Sequence, residues 1–570
     1  MDSIMFEKWI NRYSKLFFFV LLLVGFLCIF YGMFGHASVP FGDESDNIHK
    51  AYLVLAGKES TIDPYILSYS FLARYVSDDP VKVHLVFRFM LSAISVVLLY
   101  LFICSFKRFE RFRPGVLLVC LIWTGSLLHT TSAQYGNINI FAFILIFLPL
   151  VVISYKFSIN KYLVFLIACI WAGFIRTEYM AVFYISLLLG IAYFYRLYKD
   201  RKNEIRKVTT YVLAIAVLFS FIITKVKSEE NVHSHLYLAL GQMYAYMYNK
   251  MNPEFSLSTT EEFKGLIDEV FDSPRTFAEA VRNNPREIIK FYSINLFVNS
   301  VLFIPTMFDH RPYLRFGLRA DIASYLETTL LFLLCISGFL LWMKDRGRRI
   351  ISKTHEMLKS QISTVIQSGF AYASSTTNCK YILPFMMSLA GIVPLVIMFP
   401  QQRYWLPFVP LLFLWISWCM LIFFEKLPRW RKPIYVLLFM AIILVSQPTF
   451  TGIRYDNKSI VEQIRENLRD GKPSRPILAG HASLGVYIFK SEYESIPLGS
   501  VKIEDLIAGR YDYFIVDDII MNSIFWNKNK DILVKFIESP EKYSYRKICQ
   551  YHSPGENIVV FRHYTESSVN

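Results

Sequence analysis

Asp43, Glu44, Asp46 and His49 put three carboxylates and an imidazole into one short stretch of the chain. A carboxylate within hydrogen-bond reach of an alcohol takes its proton as the oxygen attacks carbon, a contribution of about 10²–10⁴ in rate. The same side chains, with His36 just upstream, are also N/O donors of the kind divalent cations use. Their spacing matches no metal-site template, so the metal-free reading stands first and a divalent metal second. A third account needs no chemistry. Ile48, Tyr52 and Leu55 repeat at helical spacing, and acids at the amino end of such a helix are favoured by about 0.3–1 kcal/mol each. Helix-start charge accounts for one or two of the three carboxylates and does not explain why the cluster meets the membrane there, in a loop where a carboxylate is expected to be solvated.

The cations that would answer such acids lie far away in sequence. Arg176 and Glu178 fall in FIRTEYMAVF, between two apolar runs, and Arg403 opens RYWLPFVP. A planar guanidinium meets a phosphate with two parallel N–H bonds; the competing role for either arginine is snorkelling toward lipid headgroups. Glu178 either orients Arg176, serves as a second acid, or simply pairs with it. His84 and Arg88 are four apart and share one helix face, pointing into the same cavity as Asp43 or anchoring at the interface. In SAQYGNIN, Gln134, Asn137 and Asn139 are able to hydrogen-bond a ligand but not to act as acids.

The elements that must position these residues are membrane helices. Of 570 residues 54% are hydrophobic and 17% aromatic, more than a soluble core requires, and runs near the ~20 residues needed to cross a bilayer recur along the chain. Eleven are expected: about 16–34, 83–106, 114–132, 138–155, 162–174, 179–195, 208–224, 324–343, 382–399, 405–424 and 434–446, the fifth and eleventh short. The net charge of +15 does not point to nucleic acid, because the basic residues concentrate in alternate loops, KRFERFR, RLYKDRKNEIRK, KDRGRRIISK and EKLPRWRK. Such loops stay cytoplasmic. With the amino terminus inside as well, the exported parts are about 35–82, 133–137, 175–178, 225–321, 400–403 and the tail beyond about 447. The first run has no convincing cleavage site and reads as an uncleaved signal anchor.

This places a transmembrane domain at 1–450 and an extracytoplasmic domain at 451–570. In the latter, Ile460, Val461, Ile464 and Leu468 mark an amphipathic helix, and RPILAG, GVYIFK, YDYFIVDD and IVVFRHY read as short strands, hence a small α/β domain. The Asp517–Asp518 pair reads as an acidic loop after a buried strand. The exported 225–321 segment is helical, with 291–308 as an interfacial helix, since drawing it as a crossing would invert the charge rule. Cysteines are nearly absent from the exported parts, so no disulfide framework is expected.

An acid pair just after the first membrane helix, an RTE at a later exported junction, QQRYWLPFVPLL at a late helix start and an exported carboxy-terminal domain together resemble the GT-C superfamily of integral membrane glycosyltransferases. The likeness is to the protein O-mannosyltransferase and aminoarabinose-transferase types (glycosyltransferase family 39-like), over about residues 10–450. The resemblance implies a polytopic α-helical GT-C-like fold in a cell membrane, bacterial by preference. It also implies transfer of a sugar from a polyprenyl-phosphate carrier to a glycan, lipid or protein acceptor at the outer face. It maps catalysis onto Asp43, with Glu44 its neighbour. Asp43 as base would drive one inverting displacement, while Arg176 and Arg403 hold the departing phosphate and Glu178, His49, Arg88, His84 and Asn137 support substrate. Relatives often carry another acid in the loop that here reads SAQYGNIN, so a second catalytic acid is in doubt.

The alternative of a different class is a transporter or flippase of lipid-linked sugars. Transporters show repeated halves and helices broken at the midplane, which this chain lacks. A scaffold without chemistry would leave the acids and arginines uncoordinated.

Overall fold

The computed structural model describes residues 43–125, 137–156, 158–176, 179–188, 232–251, 263–308, 406–427, 458–467, 476–480, 484–497, 500–521, 528–553 and 556–564, with scattered positions besides. Helix α1 covers Asp43–Leu55, α2 Pro64–Tyr75 and α3 Pro80–Cys104. The last two begin with the same device. Asp63 and Asp79 sit at the amino caps, each followed by a proline in the first helical position, and their carboxylates accept the N–H of Tyr65 at 2.8 Å and of Val81 at 3.0 Å. Aspartate satisfies a donor that the helix start leaves open, and proline has no such donor to lose.

Helices α4 (Arg113–Gly125), α5 (Asn137–Tyr155), α6 (Ile159–Ile175) and, much later, α11 (Val409–Lys426) complete the apolar bundle. Helix α3 is its hub and packs on α2, α4, α5 and α11, while α6 lies along α5 and touches α2. Among the described residues, α3, α5 and α11 are long and apolar enough to cross a membrane, with α6 a shorter apolar helix. The chain is a mostly helical, multi-pass membrane protein. The second expected span starts three residues earlier than hydropathy drew it, because Asp79 and Pro80 set its start rather than the first apolar residue. The fifth is longer than its apolar run, since Ser158 caps a first turn containing the polar Asn160 and Lys161. The fourth and tenth expected spans coincide with α5 and α11, the third and sixth are described over 114–125 and 179–188, and the other five fall wholly or largely outside the described residues.

Helices α7 (Val232–Met251), α8 (Phe263–Phe271), α9 (Phe277–Asn283) and α10 (Pro285–Phe308) share a core of their own around Tyr244, Phe263, Phe271 and Phe291.

The carboxy-terminal region runs α12 (Lys458–Asn467), β1 (Ile477–Gly480), α13 (Gly485–Phe489), β2 (Glu494–Pro497), α14 (Ile503–Ile507), β3 (Tyr513–Asp517), α15 (Asp518–Met521), α16 (Lys530–Glu538), β4 (Tyr545–Ser553) and β5 (Glu556–His563). The strands form one sheet in the order β2-β1-β3-β5-β4, parallel among the first three and antiparallel from β3 onward. The segment GVYIFK, expected to be a strand, is the helix α13. Its β-branched and aromatic residues instead bury Val486, Tyr487 and Phe489. Gly480 ends β1 at φ +85, where a side chain would meet the Ile515 carbonyl.

Side chains of β3 alternate between two cores, as a pleated strand requires. Phe514 and Val516 face α16 with Leu533 and Phe536. Tyr513 and Ile515 face the other way, into the apolar cluster that holds Val461, Ile464, Val486 and Tyr487 and continues into the membrane helices. One face of the sheet is therefore continuous with the bundle that carries the acid-rich helix.

Candidate functional site

Glu44, in the first turn of α1, is 2% exposed. The expectation of a solvated acid is wrong for this residue. Burying a carboxylate costs several kcal/mol unless donors replace its water, and α2 supplies them. Tyr65 and Tyr69 lie one turn apart on the inner face of that helix, and both phenols donate to Glu44 Oε1, that of Tyr69 at 2.8 Å. Burial, then the neighbouring carboxylate, push the Tyr65 phenol well above its ordinary value. It stays protonated and remains a donor.

The row continues into α3. Tyr69 Oη lies 2.9 Å from Nδ1 of His84. A phenol has one proton, and Tyr69 gives it to Glu44, so the imidazole nitrogen facing it donates and His84 carries its proton on Nδ1. Arg88, one turn further along α3, is 3% exposed. A buried cation on a membrane-crossing helix is costly and marks function more often than architecture. Aromatic rings wall the row: Phe87 lies 4.6 Å from Tyr69 and Phe141 5.4 Å from Tyr65, ring centre to ring centre. Phe141 belongs to the first turns of α5, where Asn139 is buried.

The sequence candidates separate accordingly. Glu44 and His84 join one hydrogen-bonded row, with Arg88 beside it. His49 leaves the acids: its Nδ1 donates to the Lys490 carbonyl at 3.0 Å, and its ring packs 4.6 Å from that of Tyr493. Burial holds the His49 imidazole below its ordinary value. Asp46 is exposed, as befits a helix-start charge. Arg176 caps α6 through its backbone N–H, which donates to Ala172 at 2.7 Å, on the helix that touches α2. The side chains of Asp43 and Asn137, and Glu178, Arg403 and His36 altogether, lie outside the described residues. Among the described residues no three His, Cys, Asp or Glu side chains gather as metal ligands.

Sequence reasoning missed Tyr65, Tyr69 and Tyr487. The first two carried a signal, since hydroxylated aromatics four apart repeat on the buried face of a helix that already begins with Asp-Pro. Tyr487 carried none. It is fully buried on α13, and after burial itself the Glu44 carboxylate is the largest influence raising its phenol.

Asp517, the other acid singled out, is buried at the end of β3, and its Oδ1 accepts the N–H of Ile520 at 2.8 Å. It caps α15.

A scan of protein-family models and a search of curated proteins return no match to the chain. Among solved structures it is similar to ArnT from Cupriavidus metallidurans bound to undecaprenyl phosphate, with a TM-score of 0.37, and to the same protein in the apo state, at 0.38. In both cases the identity is 10%, over 96% of this chain and 98% of the other.

Proposed function

We propose that this protein is a membrane glycosyltransferase that moves a sugar from a polyprenyl-phosphate carrier to an acceptor at the outer face of the membrane, by a single inverting displacement with Asp43 as base. The observation that carries the reading is the buried row Glu44–Tyr69–His84, which begins on the turn that Asp43 opens and lies at one end of apolar helices. A carboxylate held by two phenols is fixed in place, and a fixed neighbour keeps the first turn of α1, and with it Asp43, in one geometry.

The division of labour follows from the residue types. Asp43 takes the acceptor proton as the oxygen attacks the anomeric carbon. The bond to the carrier phosphate breaks with its electron pair on the phosphate, which leaves as an anion and needs no acid of its own. Arg176, at the end of α6, and Arg403 neutralise that anion, with Glu178 orienting Arg176. Arg88 and His84 add charge and a hydrogen bond at the head of α3. Asn137, at the start of α5, binds sugar hydroxyls.

Two measurements test this. Mass spectrometry of lipids that co-purify with the protein is expected to find a polyprenyl phosphate. Undecaprenyl phosphate bearing a labelled pentose or hexose, given to the protein with envelope acceptors, is expected to lose its label to an acceptor, at a rate that Asp43→Asn lowers by about 10²–10⁴. Wild-type turnover in Asp43→Asn removes Asp43 as base. Label that changes membrane face while staying on its carrier makes the protein a flippase instead.

A further inference from the structure

We propose that Arg465 is a positioning residue that makes the carboxy-terminal region a wall of the Glu44 site. The proposal rests on the transfer reaction above and adds a part of the chain that neither composition nor motif placed there.

Arg465, on α12, holds two elements at once. Its Nη2 and Nη1 donate to the two oxygens of Asp79 at 2.9 and 3.3 Å, and its Nε donates to the Tyr487 carbonyl at 2.8 Å, a carbonyl that Nη2 also contacts. Asp79 is more than a surface acid. The same carboxylate caps α3 through Val81, so it fixes the start of the helix on which His84 lies in the second turn. Upstream, the turn that ends in Asp79 closes α2, which carries Tyr65 and Tyr69. Arg465 therefore grips the single turn between the two helices that build the hydrogen-bonded row.

The same turn is held from other directions. Lys490 pairs with the Asp78 carboxylate, and the Tyr52 hydroxyl of α1 donates to the Asp78 carbonyl at 3.1 Å. Burial would raise the Asp79 carboxyl, but the hydrogen bond and charge of Arg465 outweigh it and hold the group below its ordinary value. On the far side of the guanidinium, the Tyr487 carbonyl belongs to α13, which packs on both α1 and α3. Its side chain is a buried phenol that burial, then the Glu44 carboxylate, push well above its ordinary value. Arginine suits this place because its planar fork meets a carboxylate with two N–H groups and keeps Nε for a carbonyl; lysine offers one point charge. Lys58–Glu492, at 2.8 Å, joins the same two regions at an exposed edge, where an ion pair adds little but reports proximity.

The test uses the full chain in lipid nanodiscs. Arg465→Ala is expected to lower turnover by about 10²-fold, the cost of a small misplacement of reacting groups, while binding of undecaprenyl phosphate stays near the wild-type affinity. Arg465→Lys is expected to recover part of the turnover. A cysteine pair at Lys58 and Glu492 is expected to cross-link readily with Arg465 present and slowly in Arg465→Ala. Arg510→Ala, which removes an exposed pair with Asp505, is the control expected to change none of these. Arg465→Ala with wild-type turnover and wild-type cross-linking overturns the proposal. If the wild-type chain transfers no sugar, the transfer reading falls by itself, and cross-linking still decides whether Arg465 holds the wall: slowed in Arg465→Ala it does, unchanged it does not.

Discussion

Two short acidic runs each bury a carboxylate, at Glu44 and at Asp517, and they use it differently. Asp517 turns back on its own chain and caps the helix that follows three residues on. Glu44 is held by phenols 21 and 25 residues away, on another helix, and the row passes on to an imidazole on a third. An acid bound to the next backbone N–H needs only local folding. An acid whose donors come from another helix exists only when the helices are assembled, and the assembled geometry is what a reaction needs. Burial alone does not tell the two apart; the sequence distance of the partners does.

The contrast is broken most forcefully at the acid beside Glu44. Asp43→Asn is expected to cut turnover by about 10²–10⁴, whereas Asp517→Asn, which keeps an oxygen for Ile520, is expected to leave it near wild type; initial rates of label transfer measure both. Next in size, Tyr69→Phe leaves the buried Glu44 and His84 each without one partner, a loss of about 1–3 kcal/mol that thermal unfolding reads together with a fall in turnover. Asp517→Ala removes the cap of α15, about 0.5–2 kcal/mol, with turnover unchanged.

The smallest effect sits at His49, and its sign follows from its surroundings. Burial lowers its pKa from 6.5, against the Lys490 carbonyl and the Asp46 and Glu59 carboxylates, which raise it, while Lys58 lowers it further. The buried ring thus binds fewer protons than a free one. Its contribution is complete above pH 6.5 and is lost as pH falls from there through the lowered folded value. Asn at this position keeps an N–H for the Lys490 carbonyl and does not titrate. His49→Asn is therefore expected to flatten the pH dependence of Lys58–Glu492 proximity below 6.5, measured with the cysteine pair.

Parts of this arrangement were legible in the sequence and parts were not, for physical reasons. Long apolar runs announced α3, α5 and α11, because lipid rewards hydrophobicity directly. The strands β1, β3 and β5 were legible from runs bounded by Gly, Pro and Asp. GVYIFK was misread because Val, Tyr, Ile and Phe favour strands in isolation, while here α13 buries them against two helices. β2 and β4 were missed, being sheet edges whose outward residues, such as Glu494, Lys547 and Gln550, give no apolar run. The cluster from Asp43 to His49 is visible as candidate chemistry in the sequence itself. The burial of Glu44 did not, because its donors lie in α2. The hold of Arg465 on Asp79, across 386 residues, had no local signature at all.

A transferase at this site moves the sugar covalently from carrier to acceptor. The most direct test is wild-type protein in sealed proteoliposomes with undecaprenyl phosphate carrying a labelled sugar and envelope acceptors on the outer face. Label is expected covalently on the acceptor with its anomeric centre inverted, and free undecaprenyl phosphate left behind. Label still on its carrier, with none on any acceptor, would contradict that transfer.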